Sequence, residues 1–502
     1  MNDAASIDLV QALARRYHAR LIETHISWVL LGDAFAWKIK KPVRLPVVDY
    51  STLDARRHFC EEELRLNGRL APGLYLGLSR ITGGAQGPEF DGDGPLLEVA
   101  VRMRRFPDGA LFSERLRSHR LDAADIDRLA TLLADFHAAA PVVRLGTGLA
   151  TAAMREAAAM SALAGAAVSA DATWHADMRR WLQAEAEALT PLWTQRLAAG
   201  RVRECHGDLH LDNLLCLNGG VAAFDGIEFE PALRHIDVLD DIAFPVMDLA
   251  AQGRNDFAFR LLNAWLDASG DHDALPGLRF ALVYRALVRA QVAQLRGAAQ
   301  AAAVLRYRAA ARGWTQPAPA RLWITHGLPG SGKSFHSQRL LEQHGAIRLR
   351  SDVERKRLFG LHMQDDSRAH GLDLYTPEIT RRTYQRLFEL AQGALRHGFP
   401  VVLDAAFLLQ SEREQAQRLA DEAQVPFQIL VCEAPVAVLQ ERLRLRRGDA
   451  SEADAAVLKK LLPLVEPLAP AEARFAVAAG PRGVAETGHP EKKGSDRCDP
   501  SP

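Results

Sequence analysis

The stretch that most constrains this chain is Gly327-Leu328-Pro329-Gly330-Ser331-Gly332-Lys333-Ser334, which fits G-x-x-x-x-G-K-[ST] without a mismatch. Leu322, Trp323 and Ile324 supply a short apolar strand before it, and the residues from Ser334 to Leu341 can open a helix after it. Gly327, Gly330 and Gly332 let the backbone turn tightly and aim successive N–H groups, that of Ser331 among them, at phosphate oxygens. The helix N-terminus behind the loop adds partial positive charge. Lys333 is placed to reach the β/γ-phosphates, and the Ser334 hydroxyl to hold Mg²⁺. The motif predicts a nucleoside triphosphate site on a strand–loop–helix unit.

A length of 502 residues allows about three domain-sized units. Lys+Arg and Asp+Glu both number 62, and the resulting net charge of zero argues against a general nucleic-acid binder held by electrostatics. The five cysteines are odd in number and widely spaced, which does not read as a disulfide framework. No apolar run approaches the roughly 18 residues of a membrane span, and no basic-then-apolar signal opens the chain. A soluble, cytoplasmic protein is expected.

Near the N-terminus, residues 27–31 and 34–40 are β-rich runs around Gly32-Asp33 and predict a hairpin. Phe35, Trp37 and Ile39 share one face of its second strand, so Lys38 and Lys40 share the other. Lysines on a strand are ordinarily solvated. A partner is available on the next helix, Thr52 to Leu70, which carries Glu61-Glu62-Glu63. Leu96–Met103 reads as a strand, residues 122–136 as a helix capped by Asp122, and the Ala-rich residues 151–200 as helical scaffold. Then comes Cys205-His206-Gly207-Asp208-Leu209-His210-Leu211-Asp212-Asn213, with His206, Asp208 and Asn213 at the spacing H-x-D-x-x-x-x-N. Asp225 ends an apolar strand shortly afterwards. Phosphoryl transfer needs one carboxylate to orient or deprotonate the accepting hydroxyl, and an amide with a second carboxylate to hold Mg²⁺.

The segment His206–Asn213 with Asp225 resembles the phosphotransferase family of aminoglycoside and choline kinases, which share a bilobal protein-kinase-like α+β fold. The run from Glu23 through Lys38-Ile39-Lys40-Lys41-Pro42, Glu63–Asn67 and Ile236-Asp237-Val238 resembles a bacterial branch in which such a domain is fused to a P-loop kinase. The resemblance implies Asp208 as catalytic base and Asn213 and Asp225 as metal ligands. It also implies that Lys38, with Lys40 as runner-up, contacts the α/β-phosphates in partnership with Glu63. A G-x-G-x-x-G loop is missing from the N-terminal hairpin, where Gly32 stands alone. The later acidic residues Asp237, Asp240, Asp241 and Asp248 are read as helix caps and internal hydrogen-bond acceptors, and Tyr284, Arg285 and Arg289 as structural.

Gly313, Pro317 and Pro319 interrupt the helical pattern and place a linker at 312–320 between a first domain, 1–311, and a second, 321–475. In the second, 346–349 reads as a strand followed by Asp352 and Arg355 at D-x-x-R spacing, where ligands bind in open α/β sheets. Residues 399–404 form an apolar strand ending in Asp404, the Walker B arrangement that supports Mg²⁺. The helix after Pro435 carries Arg442, Arg444, Arg446 and Arg447. Arg442 and Arg446 can fold over a triphosphate as a lid, and Arg444 is read as solvated. This alternation predicts a doubly wound parallel sheet. It resembles the gluconate-kinase, polynucleotide-kinase and zeta-toxin groups, which implies Asp352 as the base activating an acceptor hydroxyl. Residues 480–502 are rich in Gly, Pro and charge and are expected to be disordered. The reading is an ATP- and Mg²⁺-dependent phosphotransferase with two sites and small hydroxyl-bearing acceptors. The alternative is a P-loop enzyme regulated by a non-catalytic, ligand-sensing N-terminal domain.

Overall fold

The computed structural model describes residues 3–45, 48–84, 87–167, 171–316, 319–446 and 448–480. The chain divides into two compact units between Pro319 and Ala320, with Arg396–Phe399 grouped in the first. The helix Ala301–Thr315 runs through Gly313, so chain expected as linker from 312 is still helical for four residues. The expected disordered tail lies outside the described residues except for Gly480.

In the first unit an antiparallel six-stranded sheet has the spatial order Arg20–Glu23, Ser27–Leu31, Phe35–Lys40, Leu96–Arg104, Tyr75–Gly84, Gly87–Phe90. The period-2 alternation of Phe35–Lys40 sorts its two faces. Trp37 and Ile39 pack with Trp28, Leu30 and Ile81 against Leu9, Val10 and Leu13 of the helix Asp3–Arg16. On the other face Ala36, Val99, Val101 and Met103 meet Cys60 and Leu64 of the helix Leu53–Asn67. Thr52 caps that helix by accepting from the Ala55 N–H. Lys38 and Lys40 share this second face and are buried rather than solvated. The helix that covers them brings its own carboxylate.

The rest of the unit is mainly helical. The capping box of Asp122 opens Ala123–Ala139, and Leu275–Leu295 is buried along most of its length. The loop with His206 leads into the hairpin Leu214–Leu217/Gly220–Ala223, turned by Asn218 and Gly219, both at positive φ. The strand stops at Ala223, and Asp225 lies beyond its end with φ 62°, a left-handed backbone where a strand end was expected. Such a conformation is uncommon for a residue with a Cβ and is held here by its surroundings.

The second unit is a parallel sheet ordered Ile347–Arg350, Val401–Asp404, Leu322–His326, Phe427–Val431, Ala476–Ala478. Its inner strands are near-continuous apolar runs, as a sheet covered on both faces requires. The fifth strand lies just past residue 475, where the second domain was expected to end. Three alanine/valine positions carry too little periodicity to mark it. Among the described residues no helix is long and apolar enough to cross a membrane.

Candidate functional sites

In the first unit the Lys38 ammonium donates to Glu63 Oε1 at 2.9 Å and pairs with Asp225. Lys40 donates to the other oxygen, Glu63 Oε2, at 2.8 Å and pairs with Glu228, which also accepts from the Tyr50 hydroxyl at 2.6 Å. One fully buried carboxylate thus serves both lysines. Burial works against the charge on each lysine, but the carboxylates beside them outweigh it and hold both pKa values well above the ordinary range. Burial also opposes ionisation of Glu63, yet Lys38 and Lys40 pull it down to about 2. Lys38 is the lysine that meets Asp225, and Lys40 anchors the loop three residues further on.

That loop is fixed from several sides. The Asp225 N–H donates to the Tyr75 hydroxyl at 3.1 Å, and the Gly226 N–H to Asn67 Oδ1 at 2.8 Å. Asn67 in turn donates to the Glu63 carbonyl, tying the loop to the helix that carries Glu63.

The His206–Asn213 loop is hung on Asp241. Its two carboxylate oxygens accept from the His206 and Gly207 N–H groups at 3.1 and 2.8 Å. His137 Nε2 lies 3.1 Å from Asp241, and its Nδ1 accepts from the Trp265 indole, which places the proton on Nε2. Burial lowers the His206 pKa. Its Nε2 contacts the Phe224 carbonyl and its Nδ1 accepts from the Asp208 N–H, the pattern of a neutral ring that braces the loop. Asp208 keeps 35% of its side chain exposed. Asn213 donates to both its carbonyl and its Oδ2 (2.9 and 3.2 Å), and His210 Nε2 stands 3.4 Å away. Burial pushes the Asp208 pKa up, but His210, Arg289 and His206 together hold it well below the usual carboxylate range.

The acidic residues after Asp225 have internal roles. Asp237 caps Val238–Ala251 and binds Arg196, Asp240 pairs with Arg155, and Asp248 accepts from the Leu211 N–H and the Tyr307 hydroxyl. Arg285 donates to the Asp240 carbonyl, and Arg289 lies 3.4 Å from Asp212.

In the second unit the phosphate loop follows the central strand. Gly327, Gly330 and Gly332 have φ of 149°, 83° and 97°. A Cβ at Gly327 would stand 2.2 Å from the Cys432 carbonyl oxygen, and one at Gly330 3.0 Å from that of Leu439. These positions need glycine for conformation and for space. Lys333 donates to the Leu328 carbonyl at 2.9 Å, folding back over its own loop. Burial lowers its pKa against the pull of Asp404 and Asp352. Among the described residues the buried Ser331 Oγ has no hydrogen-bond partner.

Around the loop opens a cavity of about 1100 Å³ whose walls include Gly330–Ser334, Asp352, Arg355, Asp404, Arg442 and Arg446. Gly327 sits behind the loop, outside the lining. Asp404 lies 3.0 Å from the Ser337 hydroxyl. Asp352 accepts from Arg355 at 3.2 Å and from the Tyr375 hydroxyl at 3.5 Å, and the Arg355 guanidinium covers the Tyr375 ring. Arg442 donates to the Gly330 carbonyl at 3.0 Å, and Arg446 faces Asp449. Arg444 pairs with Glu441 in solvent, and Arg447 lies outside the described residues. Tyr375, Arg381, Tyr384 and Glu412 also line the cavity and were missed in the sequence. They sit on or beside the helices Pro377–Arg396 and Gln410–Glu422, whose amphipathic patterns do not distinguish a cavity-facing residue from a core one.

The first unit therefore joins an antiparallel sheet to a mainly helical part, and the second is a P-loop domain on a parallel sheet, two fold classes in one chain. A family model described as an AAA domain matches residues 322–468. Over 450 residues the chain is 30% identical to an uncharacterized protein of Mycobacterium tuberculosis, covering 88% of each, and it belongs to the family of that protein. An adenylyl-sulfate kinase of Myxococcus xanthus is 35% identical over 124 residues, 24% of this chain and 61% of that one. Among solved structures, a choline/ethanolamine kinase family protein from Mesorhizobium loti is similar over 62% of this chain and 95% of that one, with 12% identity and a TM-score of 0.38. A gluconokinase from Sinorhizobium meliloti is similar over 33% and 83%, with 20% identity and a TM-score of 0.24.

Proposed function

We propose that the chain is a phosphotransferase with two sites for ATP and Mg²⁺, one in each unit, each acting on the hydroxyl of a small molecule. The carrying observation is that one cavity gathers Lys333, Ser334, Asp352, Arg355 and Asp404 around a loop whose glycines are held at positive φ. The donor set suits Mg²⁺ there: the Ser334 hydroxyl and Asp404 carboxylate are hard oxygen ligands, and the orphaned Ser331 hydroxyl marks a loop built to meet a polar ligand. Bound Mg²⁺ would neutralise charge between the donor's outer phosphates.

The triphosphate takes the loop's N–H groups, and Lys333 exchanges the Leu328 carbonyl for a phosphate oxygen. Asp352 receives the proton of the acceptor hydroxyl as its oxygen bonds to the γ-phosphorus and the bond to the ADP oxygen breaks. Arg355 orients Asp352 and meets negative charge on the transferring group or the acceptor.

In the first unit Asp208 is held ionised and partly open, ready to take a hydroxyl proton. Asn213 and Asp225 offer an amide and a carboxylate oxygen for Mg²⁺, and Lys38 is oriented by Glu63 toward the same place. Support for this second site is geometric: Lys38 meets Asp225 across 187 residues, Asn213 donates to Asp208 Oδ2, and the Phe224 N–H donates to the Asn213 carbonyl, which joins the two loops.

The test is ATP-dependent phosphorylation of a metabolite pool, read by mass spectrometry, with the full chain and its Asp208→Asn variant. Asp208→Asn should abolish one set of products, lowering that transfer by on the order of 10²–10⁴-fold, while products that depend on Lys333 persist. If every product survives Asp208→Asn, the first unit is a non-catalytic partner of the second.

A further inference from the structure

Part of the wall around the phosphate loop is apolar and open to solvent. Phe335 follows Ser334 directly, lines the cavity and is 60% exposed. The helix Lys333–His344 buries Ser337, Leu340 and Leu341, so Phe335 lies off its packed face. Its ring meets the edge of His336, with centroids 5.2 Å apart, and the Arg339 guanidinium at 5.9 Å. Opposite the loop, the helix Val436–Leu445 is brought in by Arg442, which donates to the Gly330 carbonyl, and by Leu439, whose backbone borders Gly330. One turn beyond Arg442, Leu445 also lines the cavity at 60% exposure. The unpartnered, buried Ser331 hydroxyl in the same loop independently indicates a ligand here.

A triphosphate gripped by residues 330–334 must carry its nucleoside away from the loop. A largely exposed aromatic side chain on the cavity wall directly after the phosphate loop is the kind of partner a nucleobase takes by stacking. We infer that Phe335 is the stacking platform for the donor's nucleobase in the second unit, with Leu445 covering the base from the helix above. This rests on the phosphate-loop reading above. Stacking on a side-chain face supplies affinity without reading base edges, so ATP and GTP are both accepted.

The test is calorimetric binding of ATP, GTP and tripolyphosphate to the full chain, counting the component that Lys333→Ala removes. Phe335→Ala should weaken that component for ATP and GTP by about ten- to a hundredfold and leave tripolyphosphate unchanged, and Phe335→Tyr should restore it. Unchanged ATP affinity in Phe335→Ala overturns the inference, as does an equal loss for ATP and tripolyphosphate. If Lys333→Ala removes no binding of any of the three, the phosphate-loop reading itself falls and this inference falls with it. Intact tripolyphosphate binding in Phe335→Ala shows that the loop remains folded.

Discussion

Lys333→Ala is expected to lower phosphoryl transfer by the second unit on the order of 10²–10³-fold, the usual cost of removing one preorganised group that meets developing charge. The free protein parks this ammonium on the Leu328 carbonyl, a neutral acceptor, although Asp404 and Asp352 are near enough to act on it. A phosphate oxygen is a far stronger partner, so the bond to Leu328 is exchanged rather than added. Burial makes the free ammonium easier to deprotonate than an ordinary lysine, and a bound triphosphate reverses that. Between the lowered pKa of the free protein and the raised one of the complex, binding takes up a proton. Affinity should accordingly fall as pH rises toward the ordinary lysine value of about 10.4. Calorimetry at alkaline pH in buffers of different ionisation enthalpy would register the uptake in the wild-type chain and lose it in Lys333→Ala. A variant that transfers phosphate at the original rate would remove Lys333 from the chemistry.

Both candidate sites were partly legible in the sequence for the same reason. The phosphate loop is eight consecutive residues, and Asp208 and Asn213 lie in one short loop, so local spacing carries the chemical roles. Asp404 and Asp225 could be found because each follows an apolar strand, although Asp225 proved to lie past its strand in a left-handed turn. The second ion pair left no such trace. Lys40 and Glu228 are 188 residues apart, and only the folded sheet shows that two lysines at i and i+2 share one glutamate. Asp241 read as one of four similar acids, while the structure makes it the support for the start of the His206–Asn213 loop. A carboxylate that accepts two backbone N–H groups and a carboxylate that caps a helix have the same local signature. The cavity wall was the least legible part. Tyr375, Tyr384 and Phe335 reach it from three different segments, and nothing in their neighbours' pattern says which side of the sheet's edge they occupy.

The shared glutamate leads to the largest expected effect on stability. Glu63→Gln should destabilise the first unit by about 3–5 kcal/mol, because it leaves two buried ammonium groups facing a neutral amide. Such a loss corresponds to a fall in melting temperature on the order of 10 °C. Asp225 and Glu228 still face Lys38 and Lys40, but each lysine loses one of two carboxylate partners at a site with almost no access to water. Glu61→Gln is the control, since Glu61 pairs with Arg57 on the exposed side of the same helix and should change melting little. The sign of the pH dependence follows from the depressed Glu63 pKa. The native carboxylate binds a proton less readily than the unfolded one, so its contribution is complete above the ordinary glutamate range near ~4.3. It is lost as pH falls through the native value of about 2. Wild-type stability should therefore drop steeply between those limits, whereas Glu63→Gln should start lower and lose less over the same interval. Thermal melts followed by circular dichroism from pH 7 down to 3 would separate the two curves, and parallel curves would show that Glu63 does not carry the charge of the lysine pair.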